Sequence, residues 1–220
     1  INVEWFGAVG DGNSDSSTAV KNAIRFHNNN NRTTFVHGPY DHHRHTTIQF
    51  NQGVYRINQS VVYNTGITFK GENSLIVSDL GVETTVLDYG YLVDGNLISN
   101  SSLSTQELIS KGLCIGVHFD GLSFENINNC INNRGVVWQS MVRNCYFNFC
   151  GIAIQGDNNF YFQYRDITIY GTKNGNFNNI GKIILGEAAN RIQFQNVQIG
   201  SIAYENNNTR GVGIQITDGG

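Results

Sequence analysis

Four stretches of this chain repeat one pattern, and that repetition limits the folds open to it. Residues 119–124 read FDGLSF, 142–147 VRNCYF, 164–169 YRDITI and 194–199 FQNVQI, at offsets of 23, 22 and 30 residues. Aligned, they give apolar columns: Phe119, Val142, Tyr164, Phe194; then Leu122, Cys145, Ile167, Val197; then Phe124, Phe147, Ile169, Ile199. Self-similarity at such a period is the mark of a solenoid, in which each coil buries its apolar face only by stacking on its neighbours. Gly121, Asn144, Asp166 and Asn196 fall between the two halves of the pattern. These types accept the left-handed backbone a bend requires, and stacked Asn amides can bond from coil to coil. A second register, Gly151-Ile-Ala-Ile, Gly181-Lys-Ile-Ile and Gly211-Val-Gly-Ile, predicts a 30-residue spacing of coils 151–180 and 181–210.

One helix stands apart. Asp15 reads as its N-cap, and Ala19, Val20, Ala23, Ile24 and Phe26 follow helical spacing from Ser16 to about His27. A solenoid needs its ends covered, so this helix is expected to cap one of them. The GAVGDG segment before it lacks a Walker lysine and a full G-x-G-x-x-G, and reads as a structural turn.

The run Trp5-Phe-Gly-Ala-Val-Gly-Asp-Gly-Asn-Ser-Asp15, the helix, and then Thr47-Ile-Gln-Phe-Asn-Gln-Gly-Val-Tyr-Arg-Ile57 resemble the start of the pectate-lyase-superfamily right-handed parallel β-helix. That superfamily includes the pectate lyase 3 and rhamnogalacturonase-like proteins. Its pattern is "FGAxGDGxxDDT", a capping helix, "VYFPxGxYxI", and then a strand of "xxxxGxG" type, here Gly66-Ile-Thr-Phe-Lys-Gly71. This chain departs from it at Ser16, in place of the second Asp of "DDT", and at Phe50-Asn-Gln-Gly53 in place of "FPxG". The expected fold is all-β: one parallel β-helix domain over 1–220 with a single N-terminal capping α-helix. Strand and cap occupy 1–30, irregular first coils 31–112 and regular coils 113–220. The chain stops at Asp218-Gly-Gly soon after a core strand begins, so it reads as a piece of a longer β-helix or as one whose open end another chain covers.

Charge narrows function. There are 14 Lys+Arg against 17 Asp+Glu, a net charge of −3, and this balance does not suit a phosphate-driven nucleic-acid binder. No apolar run is long enough to span a membrane. Cys114, Cys130, Cys145 and Cys150 lack CxxC spacing, so buried thiols are preferred over zinc ligands, with two disulfides as the alternative. Sequons at Asn31, Asn58, Asn100 and Asn207 say little in a chain with 31 asparagines.

The relatives implied by the resemblance include tailspike depolymerases, exo-β-1,3-glucanases, epimerases and lyases. The Glu-Trp-Phe-Gly start and Asn-rich coils look most like a phage tailspike or a secreted bacterial β-helix. This implies an extracellular or virion-associated protein, a homotrimer, that recognises and cleaves a polysaccharide. An exo-β-1,3-glucanase-type hydrolase and a non-catalytic adhesive or fibre β-helix are the alternatives.

Glycoside hydrolysis usually needs two carboxyl groups across the scissile bond. Asp157 and Glu187, 30 residues apart, would stack on adjacent coils and form the catalytic candidate; two solvated turn residues are the ordinary alternative. Exposed aromatics suit sugar rings, which makes Tyr146 and Tyr170 binding candidates, with Trp138 and Tyr161 less placed. Asp120 shares an outward column with Arg143, Arg165 and Gln195. The two arginines are further substrate-binding candidates, although a surface ion pair explains the column as well. Asp166 reads as a turn residue. His37, His42, His43 and His45 lie in a polar stretch, His118 reads as a strand histidine, and no Asp cluster supports calcium, so no cofactor or metal is expected.

Overall fold

The computed structural model describes residues 1–30, 46–64, 66–81, 84–93, 96–99, 104, 107, 114–135, 137–156, 159–171, 181–186, 191–200 and 212–216. The chain is a parallel β-helix. Its long sheet pairs Asp11–Asp15, Gly53–Arg56, Ile67–Val77, Val117–Glu125, the broken strand Met141–Arg143 and Tyr146–Asn148, Gln163–Tyr170 and Gln193–Gly200; Thr46–Phe50 pairs with the first half of Ile67–Val77. A second sheet runs Val61–Tyr63, Thr85–Val93, Asn129–Asn132, Ile152–Gly156, Gly181–Leu185 and Val212–Ile216. A third links Cys114–Ile115, Val137–Trp138 and Asn159–Phe160. Among the described residues one ladder is antiparallel, a hairpin in which Asn96–Ser99 folds back on Thr85–Val93.

The expected long-sheet register holds. Phe119 pairs with Val142, Val142 with Tyr164 and Tyr164 with Phe194. All but Phe194 of these are fully buried. Side chains stack ring on ring along the axis: Phe69 on Phe119 at 5.4 Å, Phe124 on Phe147 at 5.0 Å and Tyr164 on Phe194 at 4.9 Å. Burying each of the fully enclosed rings, Phe69, Phe119, Phe124, Phe147 and Tyr164, stabilises by roughly 1.5–3 kcal/mol. Cys130, Cys145 and Cys150 are buried free thiols, and burial pushes the Cys145 thiol up to about 12.

Three columns of left-handed residues turn the corners. The first is Asn73, Gly121, Asn144, Asp166 and Asn196, which splits each long-sheet strand. The others are Gly66, Gly116, Gln139, Tyr161 and Arg191 before the long sheet, and Asn126, Phe149 and Gly171 after it. Coil-to-coil bonds reinforce the first column, but the acceptors are carboxylates: Asn144 Nδ2 donates to Asp120 at 2.9 Å and Asn196 Nδ2 to Asp166 at 2.9 Å.

The 30-residue register of the second sheet requires correction. Ile154 pairs with Ile183 and Gly156 with Leu185, an offset of 29; Ile183 then pairs with Ile214, an offset of 31. Ile131, Ile154, Ile183 and Ile214 therefore form one column. A one-residue slip exchanges the two faces of a strand. Here it sets Lys182, only 1% exposed, beside the buried Cys130–Ala153 part of the stack. Most of the longer spacing of the last long-sheet strands falls between Tyr170 and Gly181. Residues 149–151 join Tyr146–Asn148 to Ile152–Gly156, whereas residues 171–180 separate Gln163–Tyr170 from Gly181–Leu185.

Helix α1 spans Ser17–Asn30, one residue later at its start and three later at its end than the spacing predicts. Asp15 still supplies the cap, accepting from Ser17 N at 3.0 Å and from Asn58 N at 3.3 Å. Ser16, the departure from the family pattern, is buried and bonds both backbone groups of Val9, at 3.2 and 3.3 Å. Ala19, Val20, Ala23 and Ile24 bury against the first coil, as expected, whereas Phe26 remains 49% exposed on the rim beside Phe6. The glycine-rich segment is a turn. Gly7 ends a short 3-10 helix, Val3–Phe6, and Gly10 packs on Gly53 so closely that a Cβ on Gly53 would stand 2.9 Å from the Gly10 Cα.

Candidate functional site

The αL column Gly121–Asn144–Asp166–Asn196 makes a ridge along the long sheet, and the sequence candidates flank it. On one side the outward column is Gln49, Lys70, Asp120, Arg143, Arg165 and Gln195. On the other stand Ser123, Tyr146, Thr168 and Gln198, followed two residues on by Glu125, Asn148, Tyr170 and Gly200. All four binding candidates thus share one surface. Tyr146 and Tyr170 are 40% and 46% exposed and sit on adjacent coils, one step apart along the sheet.

Sequence reasoning missed Phe149. It follows Tyr146–Asn148 at a corner where the neighbouring coils place Asn126 and Gly171, and it adopts φ 48°. An aromatic residue in that conformation costs about 1–2 kcal/mol. Phe149 is 48% exposed and meets the Tyr170 ring edge-on at 6.2 Å. The signal was present in the alignment: a Phe occupies a position that calls for Asn or Gly. Arg191 was also missed. Its guanidinium lies 4.7 Å from the Tyr161 ring and donates to the Tyr161 hydroxyl. The two residues are 30 apart in the corner column before the sheet.

The electrostatics of the ridge are those of fixed ion pairs. Arg143 donates to Asp120 at 2.8 Å, and Arg165 turns to its own neighbour Asp166 at 3.1 Å. Partial burial works against ionisation of Asp120, but bonds from Arg143 and Asn144 and the charges of Arg143 and Lys70 outweigh it and hold the carboxyl below its ordinary range. The Asn196 amide, followed by Arg165, does the same for Asp166. Both therefore remain carboxylates at neutral pH. A general acid needs the opposite shift. Asp88 has it, raised by burial against bonds from Ser99 and Asn132, but that carboxyl is 4% exposed under the Asn96–Ser99 hairpin.

Asp157 and Glu187 lie outside the described residues, as do His37, His42, His43 and His45 and the side chain of Trp138. The strands leading to the two carboxyls are in 29-residue register at Gly156–Leu185. His118 is half-buried, with Nε2 at 3.3 Å from the Gln139 carbonyl oxygen. Among the described residues no group of three or more His, Cys, Asp or Glu side chains could hold a metal, and no helix is long and apolar enough to cross a membrane.

A family model described as "Rhamnogalacturonase A/epimerase, pectate lyase-like" matches residues 1–114. A comparison with curated protein sequences finds no match. Among solved structures, the Streptococcus pneumoniae surface protein and adhesin PfbA is similar over 99% of this chain and 60% of its own, at 15% identity and a TM-score of 0.65. A tailspike protein double mutant of E. coli bacteriophage HK620 is similar over 92% of this chain and 35% of its own, at 12% identity and a TM-score of 0.65. The ORF18 protein of Geobacillus virus E2 is similar over 91% of this chain and 40% of its own, at 16% identity and a TM-score of 0.54. This chain therefore spans from about a third to under two thirds of these structures. At such identities the likeness is one of fold.

Proposed function

Since this chain belongs to the rhamnogalacturonase A/epimerase, pectate-lyase-like family, we propose that it recognises an extracellular polysaccharide across the ridge of its long sheet. The observation that carries the reading is the exposed set Tyr146, Phe149 and Tyr170 beside Arg143 and Arg165 on adjacent coils. Aromatic rings offer flat apolar faces to sugar C–H groups, and guanidinium forks bond hydroxyls and acidic substituents. The flat run of parallel strands repeats about every 4.8 Å, so a glycan lying along the stack meets equivalent positions coil after coil.

We assign the chain to a phage tailspike or a secreted β-helix protein, acting at a virion or cell surface and assembled as a homotrimer. Fold likeness to a phage tailspike and a surface adhesin supports this setting. In the depolymerase form of the proposal Asp157 and Glu187 are the acid/base pair. A second reading, adhesion without cleavage, is favoured by one observation: Asp120 and Asp166 are both held as anions, so neither of these ridge carboxyls is set up as a general acid.

The test is a glycan panel read for binding, for new reducing ends and for the ultraviolet absorbance of unsaturated products. Tyr146→Ala with Tyr170→Ala is expected to abolish binding of polysaccharide along the ridge while leaving the fold intact. Reducing ends lost in Asp157→Asn and Glu187→Gln support a hydrolase, and unsaturated products move the chemistry to a lyase. Binding without either product supports adhesion. Silence across the panel defeats the polysaccharide reading.

A further inference from the structure

Away from the ridge, a cavity of about 290 Å³ opens between α1, the start of the second sheet and the antiparallel hairpin. Lys21, Arg25, Asn28 and Asn29 come from one face of the helix, Ser60 and Val62 from the first coil, and Asn96 and Leu97 from the hairpin. Positions four and seven or eight apart on a helix line up on one side. Two cations and four neutral polar side chains therefore converge on one small volume, and no carboxylate lines it among the described residues.

Each cation has capacity to spare. Lys21 uses one of its three donors on Gln59 Oε1 at 2.8 Å. Arg25 is exposed and makes no ion pair among the described residues. Among the described residues the strand partner of Val62 is an acid, Asp88, and its carboxyl is buried and occupied by Ser99 and Asn132. Val62 and Leu97 give the cavity an apolar side. The volume sits at the bottom of the range for small-molecule sites, room for one sugar ring.

We propose that this cavity is a second saccharide site, distinct from the ridge, that takes a single acidic sugar residue. The sugar-borne anion, a carboxylate or a sulfate ester, lies on Lys21 and Arg25. Ring hydroxyls bond the Asn28, Asn29, Asn96 and Ser60 side chains, and the C–H face rests on Val62 and Leu97. The inference rests on the polysaccharide reading and adds to it a charge preference and a place at the capped end of the stack.

Titration calorimetry tests it with a hexuronate trisaccharide, a sulfated neutral trisaccharide, the carboxyl-reduced form of the first, and sodium sulfate. The wild-type chain is expected to bind at least one acidic trisaccharide, and which of the two identifies the anion. The carboxyl-reduced sugar should bind at least about tenfold more weakly than the hexuronate if the anion is a carboxylate. Lys21→Gln with Arg25→Gln should weaken acidic-sugar binding at least about tenfold, whereas Lys21→Arg with Arg25→Lys should retain it. Tyr146→Ala with Tyr170→Ala should leave it within about twofold. Unchanged affinity in the glutamine variant overturns the proposal, as does failure of the wild type to bind either acidic sugar. If the tyrosine variant abolishes acidic-sugar binding, the sugar belongs to the ridge: the cavity proposal falls and the ridge reading stands. Sodium sulfate binding as tightly as the acidic trisaccharide overturns the saccharide assignment.

Discussion

Lys182 donates from Nζ to the carbonyl oxygens of Cys150 and Gly151, at 2.6 and 2.9 Å, on the neighbouring coil. The ammonium thus closes a corner of the solenoid from within. Burial lowers its pKa to about 8, against smaller opposing effects of the Cys150 and Cys130 thiols. The folded value lies below the unfolded one, so this group's contribution to stability is fully present above the unfolded pKa and is lost as pH falls through about 8. Urea midpoints of the wild type and Lys182→Met should therefore diverge between pH 8 and 10. The wild type gains up to about 1.4 kcal/mol per pH unit relative to the variant. Parallel pH profiles for the two proteins would refute this.

The buried Asp88 carries the opposite sign. Its folded pKa is raised by burial, so its stabilising contribution is present below the unfolded carboxylate range and lost as pH rises through the folded value. Asp88→Asn keeps the acceptor for Asn132 and replaces the oxygen that accepts from Ser99 with an amide donor, so that the Ser99 hydroxyl becomes the acceptor. It should melt above the wild type at pH 7.5, and the gap should close by about pH 4. Thermal melts at the two pH values check the crossover.

The cap depends on contact between two glycines. A Cβ at Gly53 meets both Cα and O of Gly10 at 2.9 Å, and the backbone cannot yield there without moving the turn that leads into α1. Gly53→Ala should cost about 1–3 kcal/mol, the usual range for overpacking. Hydrogen exchange should speed up in Asp11–Asp15 and α1 before it does so in Gln163–Tyr170. A uniform loss of protection would contradict a local cap.

The Asp120–Arg143 pair is well formed yet solvent-facing; the arginine side chain is 44% exposed. Double-mutant cycles with Asp120→Asn and Arg143→Gln should return a coupling of about 0.2–1 kcal/mol that shrinks in high salt. A glycan affinity that falls in Arg143→Gln but not in Asp120→Asn would separate the arginine's binding role from its structural one.

Much of the stack was legible because its physics is local and repeated. The Phe119–Val142–Tyr164–Phe194 column recurs with the coil, and the bend that splits each long-sheet strand uses Asn, Asp or Gly where φ is positive. The slip at Gly181–Leu185 was harder to see. Gly181-Lys-Ile-Ile carries two consecutive isoleucines, so aligning its glycine with Gly151 selects Ile184, whereas core packing selects Ile183. A buried lysine gives no sequence signal that it belongs inside. Phe149 and the Asn96–Ser99 hairpin escaped for the related reason that each breaks the repeat used to read the rest. On the ridge, the outward positions of Tyr146, Tyr170, Arg143 and Arg165 followed directly from the register, while their partners Phe149 and Asp166 depended on corner geometry.

Ten residues separate Tyr170 from Gly181 where three separate Asn148 from Ile152, yet Ile169 still faces Ile199 and Ile183 still faces Ile214. The strands on either side of the added length keep their pairing along the axis. The molecule is in this sense a chassis with interchangeable outboard fittings: the aromatic stack carries the mechanical load, and the corners can be refitted independently of it. A foreign peptide spliced between Gly171 and Ile180 would leave the coil count, the register and the ridge as they are, so new specificity can be fitted to an unchanged frame.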